Sequence, residues 1–177
     1  VHVSGLPAVL ATNTFGLEGV RIHVTHPVDG QLRLKLRSPD GSIYVLASFA
    51  GGTGANFNNT LFEDTCSTNI SVGIAPFAGV YHSTDNLANF NNLQTGIGAW
   101  ELMARDQTVG GVGAIDSFSL IFSHTPAGSF PFYASNLPIV IINTNNVAIP
   151  DSPKIPGTMG IIYNGPGMIN HTTDSIN

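Results

Sequence analysis

The sequence predicts an all-β fold, a jelly-roll-like β-sandwich of two antiparallel sheets with an extended C-terminal tail that carries a strand of its own. Three observations predict it. Apolar and polar residues alternate with a period of two in several short segments, Gly, Pro and Asn punctuate the chain at intervals of about ten residues, and no amphipathic helical stretch occurs in the first 125 residues. The expected division is a sandwich over residues 1–126 and a C-terminal extension over residues 127–177.

The clearest alternation lies between Gly98 and Phe122. Trp100, Leu102 and Ala104 alternate with Glu101, Met103 and Arg105, and Phe118, Leu120 and Phe122 alternate with Ser117, Ser119 and Ser123. The connection from Gln107 to Ala114 has three glycines among eight residues and no proline, which predicts a sharp return and an antiparallel hairpin. A lone hairpin is marginal in water, so a second sheet is expected over Trp100, Phe118 and Phe122.

From the N-terminus, residues 1–19 read as an extended lead-in with one short strand. Val20, Ile22, Val24 and His26 then share one face, Arg21, His23 and Thr25 the other, and Pro27 ends the strand. Asp29 and Gly30 supply a turn before Leu32, Leu34 and Leu36, which alternate with Arg33, Lys35 and Arg37. This pair reads as a second hairpin. Its outward face would hold Arg21, Arg33, Lys35 and Arg37, four of the six Lys and Arg residues in the chain. Such a face is either a solvated surface or a docking face for an acidic partner. Ser38 to Gly41 form a turn, Ile43 to Ala47 a further strand, residues 50–60 a loop by composition, and Leu61 and Phe62 a short strand. Ile70 to Ile74 read as a brief strand, and Leu87 and Phe90 as the anchors of an Asn-rich segment.

Composition changes after His124. Thr125 to Pro138 reads as a linker or strap, followed by an unbroken apolar run, Ile139, Val140, Ile141 and Ile142, which fits a strand covered on both faces. Polar turns are expected at Asn143 to Asn146 and at Pro150, Pro153 and Pro156, then a last apolar stretch from Met159 to Tyr163. About fifty residues with one strong strand cannot build a core alone, so the tail packs on its own sandwich, joins another domain, or donates its strand to a neighbour.

Charged residues make up only 10% of the chain, against about a quarter in an average soluble protein. A polar, barely charged surface suits a secreted or surface-displayed β protein and weakens the usual charge-based defence against edge-to-edge association. The net charge of −5 argues against a nucleic-acid partner, and no apolar run reaches the length of a bilayer span. The sequence shows no signal peptide, so an exported protein would carry it as a mature or trimmed form. Cys66 is the single cysteine and reads as a small packed residue rather than a reactive thiol.

The blocks VRIHVTHPVDGQLRLKLRSPDGSIYVL, NTLFEDT, IAPFAGVYHSTDNLANFNN and GAWELMARDQTVGGVGAIDSFSLIF occur in this order. Over roughly residues 5–124 they resemble the P domain, or P/Homo B domain, which follows the catalytic domain of kexin-like and many bacterial subtilisin-like proteases. Departures include Gly30-Gln31-Leu32 where the family commonly has Gly-Asp-Leu, a glycine at 110 or 111 in place of a second acid, and Phe118 in place of a tryptophan. The resemblance implies calcium as a cofactor to be tested, because bacterial P domains often hold it through loop carboxylates. Asp106, Asp116, Glu63 and Asp64 are the oxygen donors that remain, and calcium takes about six to eight oxygens. The tail from Ser135 resembles the opening of CotH-like regions of secreted bacterial proteins, without their catalytic part, which implies a piece of a longer chain.

No nucleophile elbow, zinc motif, P-loop or dinucleotide fingerprint occurs, and His26 reads as a structural histidine at a strand end. The expectation is a non-enzyme. Asn58, Asn69 and Asn170 begin Asn-x-Ser/Thr triplets and Asp174-Ser175-Ile176 resembles a bacterial O-glycosylation pattern; these places could carry glycans, although such triplets arise often by chance in a chain this rich in Asn and Thr. Carbohydrate binding by stacking is disfavoured because Trp100 falls on the inward phase.

The leading functional expectation is an extracellular assembly module, a self-associating subunit of a cell-surface filament or adhesin joined by strand addition through Ile139, Val140, Ile141 and Ile142, with Arg33, Lys35 and Arg37 as a further contact. The alternative is an accessory P domain that stabilises a secreted protease or a CotH-like enzyme.

Overall fold

The computed structural model describes residues 1–128, 134–144, 152–171 and 174–176. The chain forms two compact units, Val1–Ser129 and Phe130–Asn177.

The first unit is built from strands β1 (His2–Val3), β2 (Gly16–Thr25), β3 (Leu32–Arg37), β4 (Ile43–Ser48), β5 (Phe57–Glu63), β6 (Val80–Tyr81), β7 (Gly98–Ala99), β8 (Glu101–Asp106) and β9 (Ala114–Ser123). They make a four-stranded sheet in the order β6-β5-β2-β9, a three-stranded sheet in the order β4-β3-β8, and a small β1-β7 pair. Pairing is antiparallel except between β5 and β6. The fold is an all-β sandwich. Its core joins Val20, Ile22, Val24, Phe57 and Phe62 of one sheet to Leu32, Leu34, Leu36, Leu46 and Leu102 of the other.

Trp100 is fully buried, edge-on to Phe90 and Phe122 with centroids 5.2 and 5.9 Å away. Its indole N–H donates to the Gly96 carbonyl at 2.8 Å, so the polar end of the ring is satisfied inside the core.

Neither of the two hairpins read from the sequence exists. β8 pairs with β3, whereas β9 pairs with β2, so the glycine-rich connection crosses from one sheet to the other. β2 and β3 likewise belong to different sheets, and the turn at Asp29–Gln31 is a second crossover. The real tight hairpin is β3–β4, closed by the Ser38-to-Gly41 turn.

β2 starts at Gly16, inside the expected lead-in, because two glycines admit close neighbours. A Cβ on Gly16 would stand 2.3 Å from Asn91 Oδ1, and one on Gly19 3.1 Å from the Phe62 carbonyl. Asn91 acts as a substitute strand there. Its Oδ1 accepts from Leu17 N–H at 2.8 Å, and its Nδ2 donates to Leu17 O at 2.8 Å and Ala127 O at 2.9 Å. β5 begins at Phe57, within the stretch read as loop. Phe57 and Thr60 face inward while Asn58 and Asn59 face out, and the register slips between them with Asn59 at φ 59°. This is a bulge of the kind that hides a strand's period. Ile70–Val72 is a 3-10 turn and not a strand, with Asn69 Oδ1 accepting the Ser71 N–H at 3.0 Å.

In the second unit, β10 (Ala134–Ser135) pairs with β13 (Asn170–His171), and β11 (Ile139–Asn143) pairs with β12 (Thr158–Ile162). Asn170 is fully buried and donates to the Leu137 carbonyl at 2.9 Å. Opposed residues of the β11–β12 ribbon share a face. On one face Ile139 and Ile162 are buried and Ile176 lies against Gly160. On the other, Val140, Ile142, Met159 and Ile161 are exposed by 53, 63, 69 and 41%. The apolar run is therefore covered on one face only, and its strand is already paired with β12. The expected turns at Asn145, Asn146 and Pro150 lie outside the described residues, as does part of the proline-bearing linker.

Candidate functional site

Where β2 leaves its sheet, three loops interlock at one rim of the sandwich. Asp29 N–H donates to Gly54 O at 2.7 Å, Gly30 N–H to Gly52 O at 3.0 Å, and Gln107 N–H to Gln31 O at 3.1 Å. The Gly51-to-Gly54 stretch can lie this close because side chains are absent: a Cβ on Gly30 would stand 2.4 Å from the Gly52 carbonyl oxygen.

His26, only 2% exposed, sits at the centre of this rim. Its backbone N–H donates to Asn56 Oδ1 at 3.0 Å, its Nδ1 lies 3.2 Å from the Val28 N–H, and its Nε2 lies 3.2 Å from Asp106 Oδ2. Nδ1 also lies 2.9 Å from the Val28 carbonyl oxygen, so which ring nitrogen donates depends on where the proton sits. Asp106 Oδ1 accepts the Thr108 N–H at 2.9 Å. That backbone donor, together with the His26 ring, holds the carboxyl below its ordinary range. The glycine loop lies on the imidazole: a Cβ on Gly113 would be 2.6 Å from His26 Cδ2 and 2.6 Å from Thr25 O.

Asp29, read from the sequence only as a turn residue, is fully buried beside this group. Its Oδ1 accepts the Asn56 N–H at 3.0 Å and its Oδ2 has no partner. Burial pushes its pKa up to about 6, against the opposing effects of the Asn56 N–H and the His26 charge. Nothing in the sequence marks Asp29 as buried, because an Asp-Gly pair is the commonest of turn signals.

A cleft of about 230 Å³ opens beside His26 and Asp106, walled by Val24, Leu32, Ala104 and Ile115. Among the described residues no Ser, Thr or Cys side chain is hydrogen-bonded to His26, and both of its ring nitrogens already face partners. The arrangement joins the two sheets.

The remaining carboxylates do not converge. Asp116 accepts from Thr25 Oγ1 at 2.7 Å and lies 3.8 Å from His23 Nε2 on the four-stranded sheet. Asp64, which follows β5 at the opposite rim, accepts the Leu87 and Ala88 N–H groups at 2.8 Å each, next to Glu63. Among the described residues no group of three or more His, Cys, Asp or Glu side chains could hold a metal. The four carboxylates read as oxygen donors are divided between two rims, Asp106 and Asp116 at one and Glu63 and Asp64 at the other, whereas calcium takes about six to eight oxygens.

The cations regroup as well. Arg21 is on the four-stranded sheet, where its guanidinium donates to Asn59. Arg33, Lys35 and Arg37 line the outer face of the other sheet, and the fourth cation there is Arg105, directly opposite Arg33. Arg37 pairs with Glu101 at 3.3 Å. The signal for Arg105 was its outward phase with Glu101 and Met103, but only the β3–β8 pairing reveals its neighbour.

Of the triplet asparagines, Asn58 is exposed, Asn69 donates its amide to Ser83 O at 3.1 Å, and Asn170 is buried. Cys66 Sγ lies 3.2 Å from Val80 O. Among the described residues no helix is long and apolar enough to cross a membrane.

The two packed sheets, their Greek-key-like crossovers and the histidine-bound rim define a β-sandwich module of the jelly-roll kind. The family model for the proprotein convertase P-domain matches residues 19–122, from β2 to β9, and the chain belongs to that family. No curated protein and no solved structure matches the chain.

Proposed function

We propose that the chain is a non-catalytic, extracellular accessory module, a P domain that stabilises a secreted protease or a CotH-like enzyme to which it is joined. The observation that carries this reading is the His26 rim. The histidine and carboxylate that could have served catalysis are bound to each other and to backbone, and they hold the two sheets of a P-domain sandwich together. A module with its own core can brace a neighbour without contributing chemistry to it. Deleting residues 1–129 from the parent polypeptide should lower the thermal midpoint of the enzyme domain while leaving its active-site chemistry intact; an unchanged midpoint overturns the reading.

A second reading, self-association through the tail, is favoured by one observation, the exposed apolar face of the β11–β12 ribbon. Donation of a bare strand from Ile139 to Ile142 would first have to break four in-register pairs with β12. Association of this kind would therefore use the ribbon face, and not a free strand.

A further inference from the structure

We propose that the outer face of the β3–β8 sheet binds a linear anionic polysaccharide through Arg33, Lys35, Arg37 and Arg105.

Four of the six Lys and Arg residues of a chain with net charge −5 are gathered on this one face. β3 alternates strictly, with Leu32, Leu34 and Leu36 buried, so its three cations project the same way at intervals of about 6.6 Å. Arg105 extends the row sideways onto β8. Its position directly across from Arg33 is a like-charge cross-strand pair, and such pairs destabilise a sheet. Among the described residues Arg33, Lys35 and Arg105 have no carboxylate within ion-pair distance; the face has one internal pair, Arg37–Glu101. The Arg33 Nε–H is buried without a hydrogen-bond partner. A protein this sparing of charge has placed unbalanced positive charge where it repels itself, and an external polyanion relieves that repulsion.

The surroundings select among polyanions. β3 is the central strand, bonded to β4 on one side and β8 on the other, so it offers no open edge to a peptide backbone. The outward neighbours of the cations are Ile43, Val45, Ser48 and Met103, with no aromatic ring on which a nucleic-acid base could stack. The one aromatic residue of β4, Tyr44, is turned inward against Phe90 at 4.7 Å. What remains is recognition by charge along an extended chain, which a polysaccharide with a carboxylate or sulfate on successive sugars satisfies.

The test passes the whole chain over immobilised dextran sulfate, polygalacturonate, poly-L-glutamate and neutral dextran at about 50 and 300 mM NaCl, because polyanion binding falls steeply with salt. Expected are retention on at least one of the two anionic polysaccharides at the lower salt, release at the higher, and none on neutral dextran. The double variant Arg33→Gln/Arg105→Gln should bind roughly tenfold more weakly or worse, with a thermal midpoint no lower than that of the wild type, while Arg21→Gln should bind as the wild type. Failure of the wild type to bind at low salt overturns the proposal. So does full binding by the double variant, an equal loss in Arg21→Gln, or tighter binding to poly-L-glutamate than to either anionic polysaccharide, which would assign the face to an acidic peptide.

Discussion

The Nε2 of His26, just past the end of β2, lies 3.2 Å from the Oδ2 of Asp106, the last residue of β8, and this contact ties one sheet of the sandwich to the other. His26 is only 2% exposed, and the 107–113 loop uses its ring as a floor. Replacing it with Ala removes the contacts with Asp106 and with the Val28 backbone and opens a void under the loop. His26→Ala should cost roughly 2–4 kcal/mol in urea unfolding, and limited proteolysis should cut first between Gln107 and Gly113.

Asp29 makes stability depend on pH in the direction opposite to most carboxylates. Its pKa rises from 3.8 in the unfolded chain to about 6 when folded, so the folded state binds the proton more tightly. The stabilisation is complete below about pH 4 and is lost as pH rises through 6, an effect of at most about 3 kcal/mol. Asp106 and Asp174, both held below their ordinary range, act in the other sense at lower pH. Urea unfolding should therefore show a more stable protein at pH 5 than at pH 7. Asp29→Asn should flatten the curve between those values.

Glycine at 113 is required by space. A methyl group there would meet His26 Cδ2 and the Thr25 carbonyl at 2.6 Å each, whereas one on Gly79 would meet only the Tyr81 ring at 3.8 Å. Gly113→Ala should lower stability by about 1–3 kcal/mol, and Gly79→Ala should lie within about half a kcal/mol of the wild type.

The ribbon face of the tail predicts association that charge can abolish. Val140, Ile142, Met159 and Ile161 form a contiguous exposed apolar patch, of the kind that marks a contact surface. If copies of the chain meet there, light scattering should show a mass that rises with concentration and returns to that of a monomer in Ile142→Asp/Met159→Asp. A monomer at every concentration removes the assembly reading and leaves the accessory one.

The period-two pattern was legible wherever a strand buries one face. It placed Trp100 inside and set Leu32, Leu34 and Leu36 against Arg33, Lys35 and Arg37, whereas Leu87 and Phe90 were legible only as the large apolar residues of an Asn-rich segment. Alternation tells which way a side chain points but not which strand lies alongside. A glycine-rich connection reads the same whether it closes a hairpin or crosses between sheets, which is why β8 and β9 were expected to pair and do not. The same limit assigned Arg21 to the cationic face and left out Arg105. The bulge at Asn58 and Asn59 broke the period of β5, and Asp29 was hidden because its burial depends on loops more than twenty residues away, at Gly52, Gly54 and Asn56.

The accessory role is tested most directly by adding residues 1–129 as a separate chain to the parent enzyme domain that lacks them, and following the thermal midpoint of that domain. A concentration-dependent rise that saturates, with no activity from the added module itself, is the predicted result. A midpoint that stays where it was at saturating module, or turnover of substrate by the module alone, would contradict it.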